Sequence, residues 1–528
     1  MYLLSLKLLH VYIKKHFKIF SLFILLNIII SLLTISVPLL SGTFIDMLLT
    51  SSKDTYVLKF IKNFVLINII IIFGTYLNQL IHTKLQSYYS FNLNRDVINH
   101  LHNVEYSFFS DKDPIYLTQR INTDCNSIAT FEITFLQNMF TNIMSLLLSL
   151  FFIWRLNYTL VAIVIIFNFF NLLIIIKFKN QIYLTGYTVK EYTNKYFSFL
   201  NMLLIRIKFI KINEYSEIAI TKLKNFFDEV FSKILRRQIV LNNYFGLCKL
   251  NNVLQSATLF FLGGNLVIKG ILSIGNLTIC FSYMSTINNA INYFLNLGQE
   301  FQNIKSSVER INELLNIQVE HNGKIKVYNV KNILVRNLTF RFNENILYTN
   351  LNIDFKQNYI YGIEGHNGSG KTTLIDILTG LYQQKYQGVI RYNGFLQDKL
   401  DMKFVRRQCV SYCCQQNDFL DSELYERLIK KNMTLLQSLN LEISNGFLDS
   451  LKKGNLSGGE KQKLNILYCL SKFKASLLFF DEPSSYLDQG TVEKVMLQIE
   501  KMKKGRIIII VSHDKRVLKH CDKLINID

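Results

Sequence analysis

A glycine-rich stretch joins an apolar segment, residues 358–364, to a helix-forming run that ends near Leu378. Its spacing is G-x-x-x-x-G-K-[ST], the pattern in which a loop between a strand and a helix wraps phosphate groups. Backbone N–H groups of such a loop and the positive end of the helix dipole both attract negative charge. The predicted phosphate-binding residues are Gly365, His366, Asn367, Gly368, Ser369, Gly370, Lys371, Thr372 and Thr373.

Two side chains of this stretch add specific chemistry. Lys371 is expected to reach the β- and γ-phosphates of a nucleotide, and the Thr372 hydroxyl is expected to bind Mg²⁺. Taken alone, the same pattern is also compatible with a glycine-rich turn that binds nothing. A second phosphate-site element elsewhere in the chain would favour the first interpretation.

The apolar residues 477–480 provide such an element, because they read as a buried strand that ends in two carboxylates. Asp481, at the tip of the strand, suits a Mg²⁺ site, and Glu482 can polarise the water that attacks a phosphate. An acidic pair at a strand end is ordinarily a solvated turn. Two phosphate-site elements in the right order favour the catalytic interpretation.

A third element begins at Ser457, which is followed by Gly458 and Gly459. Serine is a preferred helix N-cap, and the glycines expose backbone N–H groups at a helix start, so the segment predicts a second anion-binding helix terminus. One chain has no use for two such termini on a single nucleotide, whereas two chains facing head to tail do. We therefore expect each nucleotide to lie between two chains.

From residue 338 to its end, the chain resembles the nucleotide-binding domain of ATP-binding-cassette transporters, with residues 456–462 as the family signature. Gln415 matches the loop that links Mg²⁺ to the membrane domain, and Asp488 lies in the match to the dimer-contact loop. His513 matches the switch histidine that contacts the γ-phosphate, and Phe342 matches the aromatic residue that stacks on adenine.

The resemblance implies ATP and Mg²⁺ as cofactors and an ATP hydrolase coupled to transport. The implied metal-binding residues are Thr372, Gln415 and Asp481, and the implied catalytic residues are Glu482, His513 and Lys371. The segment between residues 415 and 457 is shorter than usual in the family. How closure of the ATP site is relayed to the membrane domain is therefore left open.

The first part of the chain holds apolar stretches of the length that a membrane-spanning helix requires. Six stretches qualify: residues 19–40, 57–80, 131–152, 160–176, 254–268 and 277–297. The last carries Asn288, Asn292, Tyr293 and Asn296, a face that suits hydrogen-bonding cargo or polar neighbours within the bundle. Both interpretations of that face stay open.

The net charge of +21 is spread along the chain, which favours basic cytoplasmic surfaces over nucleic-acid binding. Basic residues concentrate in the N-terminus and in the two long links, residues 81–132 and 177–252. By the positive-inside rule we expect these regions and the C-terminal domain to be cytoplasmic, in a multi-pass protein of the plasma membrane. The eight cysteines show no zinc-binding spacing.

The expected fold is an α-helical six-helix transmembrane bundle of the exporter type, followed by an α/β P-loop NTPase cassette. We place the membrane domain at residues 1–315, a linker at 316–335 and the ATP-binding domain at 336–528. Residues 1–315 resemble exporter membrane domains more loosely. That resemblance implies coupling helices, which dock on the cassettes, near residues 122–127 and 211–217.

These features predict an exporter that works as a homodimer with two ATP sites, although a heterodimer with a related half remains an alternative. Membrane lipids and the transported molecule are the other expected partners. The single cassette and compact size resemble bacterial exporters of small modified peptides, which favours peptide cargo. A drug or lipid exporter is the alternative, and a membrane ATPase that regulates without transporting is a second one.

Overall fold

The computed structural model describes residues 12–50, 54–110, 114–342, 345–366, 368–383, 385–415, 422–438, 445–453 and 455–527. The chain divides into two compact units. Met1–Ile98 and Thr118–Asn316 form one, which we call the helical unit, and Asn99–Leu117 and Ile317–Asp528 form the other, the α/β unit.

Long helices account for the first part of the chain, and several begin at recognisable caps. Asn157 accepts a hydrogen bond from the Thr159 N–H at 2.8 Å, and Ser273 accepts one from the Asn276 N–H at 3.0 Å. The described helices are α1 (Phe17–Thr50), α2 (Asp54–Leu101), α3 (Ser107–Ser110), α4 (Pro114–Leu156), α5 (Tyr158–Ile205), α6 (Ile207–Ile212), α7 (Ser216–Ile268) and α8 (Ile274–Leu315).

Four segments of these helices are long and apolar enough to cross a membrane, judged by length and composition. They are Phe17–Leu49, Val57–Leu101, Arg120–Leu156 and Tyr158–Ile205. The other two predicted spans, residues 254–268 and 277–297, lie within α7 and α8. These two predicted spans are less apolar than the four segments above because asparagine and glutamine interrupt their apolar runs.

Buried amides join three helices of the helical unit. Asn168 on α5 donates to Asn288 Oδ1 on α8 at 3.0 Å, and Asn288 in turn donates to Gln255 Oε1 on α7, also at 3.0 Å. All three side chains are buried. Asn288 therefore has polar neighbours of its own, which favours the packing interpretation for this residue.

The α/β unit contains two sheets. Its strands are β1 (Asn332–Phe342), β2 (Asn345–Lys356), β3 (Tyr359–Glu364), β4 (Tyr386–Tyr392), β5 (Phe395–Leu396), β6 (Val410–Cys413), β7 (Leu477–Asp481), β8 (Ile507–Val511) and β9 (Lys523–Asn526). One sheet is antiparallel with the order β2-β1-β4-β5, and the other is parallel with the order β6-β7-β8-β3-β9. β7 and β8 are buried along their whole length, as is typical of parallel strands covered on both faces.

Eight described helices complete the α/β unit after residue 316. They are α9 (Lys371–Leu378), α10 (Met402–Gln408), α11 (Ser422–Lys431), α12 (Met433–Ser438), α13 (Asn445–Lys453), α14 (Gly458–Ser471), α15 (Gln489–Lys501) and α16 (Lys515–Leu518). Because β3, β7 and β8 run parallel, their carboxyl ends share one edge of the sheet. Binding sites of α/β proteins lie at this edge.

The expected coupling helix near residues 122–127 is wrong in its position. These residues lie inside α4, within the helical unit, whereas Asn99–Leu117 belongs to the α/β unit. The chain turns earlier than expected because α2 ends at Leu101 and Pro114 starts the next long helix. Residues 211–217 do contain a turn, between α6 and α7, and their docking role stays a prediction.

Contacts within the α/β unit hold this early segment in place. The Glu320 N–H donates to Asn103 O at 2.6 Å, and Lys385 lies 3.4 Å from the Glu105 carboxylate. The Tyr106 ring meets the edge of Tyr382, with their centroids 5.8 Å apart. Tyr382 follows α9 closely in sequence, so this segment contacts the part of the fold that carries the phosphate loop.

Candidate nucleotide site

The glycine-rich loop lies where the sequence predicts it, between the buried strand β3 and helix α9. Gly368 and Gly370 both have φ of 90°, a left-handed conformation that glycine adopts without strain. Gly370 is the N-cap of α9, so the first N–H groups of the helix open onto the loop. Asn367 lies outside the described residues.

The Lys371 side chain folds back across the loop. Its Nζ donates to Gly365 O at 2.7 Å and to His366 O at 2.9 Å, which holds the ammonium above the turn. Ser369 Oγ is buried and has no hydrogen-bond partner within the described structure. A buried hydroxyl without a partner is costly, and a phosphate oxygen at the loop would satisfy it.

Thr372, in the first turn of α9, meets the carboxylate at the end of β7. Its hydroxyl donates to Asp481 Oδ2 at 2.8 Å, and the Tyr412 hydroxyl lies 3.5 Å from the same oxygen. Asp481 is only 1% exposed, and burial raises the pKa of its carboxyl. A buried carboxylate beside a threonine hydroxyl is the donor set that Mg²⁺ accepts together with phosphate and water.

Glu482 and His513 form the second half of the site, at the ends of β7 and β8. Glu482 Oε1 lies 2.8 Å from His513 Nδ1, and Ser512 Oγ donates to Glu482 Oε2 at 3.2 Å. Glu482 has φ of 48°, unusual for a residue other than glycine, and its N–H donates to Val511 O at 2.9 Å. The carboxylate is therefore held by two neighbours from the adjacent strand end.

These elements surround one cleft of about 400 Å³. The residues that line it are Leu347, Gly368, Gly370, Lys371, Thr372, Thr373, Gln415, Asp481, Glu482 and Val511. The fold thus brings Gln415, from the end of β6, together with the loop and the acidic pair. The sequence did not single out Leu347 or Val511, which are apolar side chains at strand positions.

The signature residues lie apart from this cleft. Ser457 caps α14 in a reciprocal capping box: its Oγ accepts from the Glu460 N–H at 3.4 Å, and its own N–H donates to Glu460 Oε2 at 2.8 Å. Gly458 and Gly459 lie against Tyr486, where an added Cβ would come within 3.1 Å of the ring and 2.9 Å of the backbone oxygen. None of Ser457, Gly458 and Gly459 is among the described residues that line the cleft.

Asp488 and Phe342 are the two remaining residues of the predicted site. Asp488 caps α15 by accepting hydrogen bonds from the Thr491 N–H at 3.0 Å and the Thr491 hydroxyl at 2.6 Å. The hydrogen bonds from Thr491 lower the pKa of the Asp488 carboxyl. Phe342 is the last residue of β1, and its side chain lies outside the described part of the chain.

Asp376 and Tyr348 are residues near the site that sequence reasoning missed. Asp376 lies four residues after Thr372 on α9, a spacing that places two side chains on one helix face. That spacing could have identified it. Tyr348 lies on β2, and nothing in the local pattern of that strand indicates that its hydroxyl reaches the loop.

The fold and the site together define a membrane-spanning helical region fused to a P-loop ATPase. Residues 348–485 match the family described as ABC transporter, and residues 20–291 match the ABC transporter transmembrane region. The chain therefore belongs to the ABC transporter family, as a half-transporter with both domains in one chain. The predicted family and fold class are confirmed, as is the predicted ATP-binding-cassette domain.

Among similar proteins are two translocation ATP-binding proteins. HlyB of Escherichia coli O6:H1, the alpha-hemolysin translocation ATP-binding protein, is 28% identical over 284 residues, which is 50% of this chain and 40% of HlyB. LktB of Mannheimia haemolytica, the leukotoxin translocation ATP-binding protein, is 28% identical over 285 residues with the same coverage. The match thus spans well under half the length of these relatives.

Among solved structures, a bacterial Atm1-family ABC exporter with ATP bound is similar in fold. The TM-score is 0.76 at 16% sequence identity, over 98% of this chain and 94% of that one. At this identity the likeness concerns the fold alone. The transmembrane-region match makes the chain a multi-pass membrane protein, and its fold is similar to that of this exporter.

Asp376 gives the α/β unit a pH-dependent stability. Burial, reinforced by the charge of Asp481, raises the pKa of its carboxyl to about 7, whereas the carboxyl of an unfolded chain has a pKa of about 4. Between these values the folded protein keeps a proton that the unfolded chain has lost. The free energy of unfolding therefore falls as the pH rises through this window.

We expect Asp376→Asn to remove this dependence in nucleotide-free, Mg²⁺-free protein. Near about pH 4 the variant should melt with the wild type, and near about pH 8 it should melt a few degrees higher. Thermal unfolding of the full-length protein measures both midpoints. Asp398→Asn, at an exposed carboxyl, is the control. A difference between variant and wild type that is the same at both pH values would contradict the assignment.

Proposed function

We propose that this chain exports a small modified peptide across the plasma membrane, as a homodimer that works by alternating access. The observation that carries the dimeric mechanism is the separation of the signature donors from the cleft of their own chain. A second chain, placed head to tail, brings Ser457 and the following N–H groups to that cleft. Each ATP then lies between two chains.

For the nucleotide, we assign the phosphates to the loop from Gly365 to Thr373. Lys371 neutralises the β- and γ-phosphates, and the N–H groups at the start of α9 donate to their oxygens. Thr372, Gln415 and Asp481 are the residues that would hold Mg²⁺, which supplies charge neutralisation at the phosphates. The hydrogen bond from the Thr372 hydroxyl to the buried carboxylate of Asp481 supports this assignment.

For the chemistry, we assign the general base to Glu482. Its carboxylate borders the cleft and is oriented by His513 and Ser512, so it can hold a water in line with the γ-phosphate and take its proton. His513 is exposed for most of its side chain, which leaves it able to contact the γ-phosphate as well. Asp488 and Phe342 keep the dimer-contact and adenine-stacking roles that the family implies.

For the cargo and the topology, the relatives and the charge pattern give the support. The names of HlyB and LktB assign those two proteins to toxin translocation, which favours a cargo of the polypeptide class. The concentration of basic residues in residues 81–132 and 177–252 supports a cytoplasmic α/β unit. Closure of the two ATP sites would then turn the cavity between the helical units outward.

Replacing the proposed base tests the chemistry. Glu482→Gln keeps the size and hydrogen-bonding atoms of the side chain but cannot accept the proton, so ATPase turnover should fall by about 100-fold or more. ATP binding should stay at the wild-type level, as measured by nucleotide titration. Glu493→Gln, at an exposed carboxylate on α15, is the matched control. Normal hydrolysis by the Glu482 variant would refute the base assignment.

The cargo is tested by the ATPase activity of the purified protein in lipid vesicles. We expect basal activity that Lys371→Ala abolishes and that peptides stimulate severalfold, whereas drugs and lipids do not. Stimulation by drugs or lipids instead would replace the peptide proposal with that alternative. Activity without stimulation or transport would indicate a regulatory ATPase, and activity only after adding a related second half would indicate a heterodimer.

A further inference from the structure

Tyr348 connects the antiparallel sheet to the phosphate loop. It lies on β2, opposite Phe340 of β1, and is 3% exposed. Its hydroxyl donates a hydrogen bond to the carbonyl oxygen of Gly370, the N-cap of α9. A side chain from one sheet thereby contacts the residue at which the loop becomes a helix.

The bonded carbonyl belongs to the peptide unit that joins Gly370 to Lys371. The same oxygen accepts the Leu374 N–H at 2.9 Å, the first hydrogen bond of the helix. A peptide unit is planar and trans, so its C=O and N–H point in opposite directions. Fixing the Gly370 carbonyl toward the helix and Tyr348 therefore fixes the Lys371 N–H toward the loop.

The fit between Tyr348 and Gly370 is close. Gly370 has φ of 90°, and a Cβ at this position would lie 2.6 Å from the Tyr348 hydroxyl oxygen and 3.0 Å from its ring carbon. Only a glycine leaves room for the hydroxyl and adopts this backbone conformation without strain. Tyr348 and Gly370 together therefore determine the backbone conformation at the point where the loop becomes helix α9.

We propose that Tyr348 is a positioning residue for nucleotide binding, which orients the Lys371 N–H toward the phosphates through its hydrogen bond to Gly370. This inference rests on the proposed function of the loop. It concerns a residue that touches no phosphate itself and acts through the backbone of the loop.

The hydroxyl is a reliable donor over the working pH range. Burial raises the pKa of Tyr348 well above its ordinary value, so the phenol keeps its proton. The hydroxyl can therefore donate to the Gly370 carbonyl across this pH range. Its effect should appear as affinity for the phosphates and not as a pH dependence.

Tyr392, the last residue of β4, provides a matched control because it contacts the same helix. Its hydroxyl donates to the carbonyl oxygen of Leu378, at the opposite end of α9, and the side chain is fully buried. Tyr348→Phe and Tyr392→Phe each remove a phenolic hydroxyl that donates to a carbonyl at one end of α9, and each keeps the ring in place. Only the first bond lies at the loop.

The experiment measures KM and kcat for ATP, the Kd for ADP and the melting temperature of both full-length variants. Loss of one hydrogen bond at a site corresponds to about a threefold to tenfold change in affinity. We expect Tyr348→Phe to raise KM for ATP and the Kd for ADP by this factor and to leave kcat within twofold. Tyr392→Phe should lower the melting temperature comparably and leave both binding constants unchanged.

Unchanged nucleotide affinity in Tyr348→Phe would overturn the inference. So would an equal loss of affinity in both variants, which would indicate general weakening of α9, or a fall in kcat alone. Nucleotide binding by the wild type and by Lys371→Ala distinguishes failure of the proposed function from failure of this inference. In that case the wild type would bind no nucleotide, or Lys371→Ala would leave its nucleotide affinity unchanged.

Discussion

The glycine-rich loop joins the buried parallel strand β3 to helix α9. The last peptide unit of the loop, between Gly370 and Lys371, begins the helix whose first N–H groups face the cleft. Phosphate charge is stabilised by many donors at one place, and a strand–loop–helix junction provides them without side chains. The buried strand β3, between β8 and β9, fixes the start of the loop, and the hydroxyl of Tyr348 fixes its end. The acidic pair and Gln415 then reach the same cleft because their strands end at the same sheet edge, and His513 contacts Glu482 from the end of β8.

The residues of the nucleotide cleft and the buried amides of the long helices belong to different units. The helical unit is joined internally by buried amides and long helix contacts, whereas the segment Asn99–Leu117 packs with the α/β unit. That segment contacts Tyr382 and Lys385, just after the phosphate-loop helix. A displacement of α9 on nucleotide binding would therefore alter the contacts of Tyr106 and Glu105 with the residues that follow this helix.

The local patterns of the sequence predicted the parts of the site that local spacing determines. The loop, Lys371, Thr372, Asp481 and Glu482 lie together, because each follows directly from a motif at a strand end. Tyr348 could not be predicted, since its role depends on how two sheets pack and not on its neighbours in sequence. The coupling helix predicted near residues 122–127 was wrong in its position, because these residues continue the long helix that begins at Pro114. The predicted spans in α7 and α8 are the least apolar, and hydrogen bonds between buried amides account for Gln255 and Asn288.

The claim that each ATP site is shared between two chains is tested most directly by mixed dimers purified through two different tags. One dimer pairs a Lys371→Ala chain with a Ser457→Arg chain, and the other pairs a wild-type chain with a chain that carries both changes. If sites are shared, the first dimer keeps one intact site, made from the unaltered Lys371 and the unaltered Ser457, whereas the second keeps none. We expect the first to trap about half the nucleotide of the wild type and the second almost none. The reverse result, with trapping in the second dimer only, would show that each chain completes its own site and would contradict the shared-site mechanism.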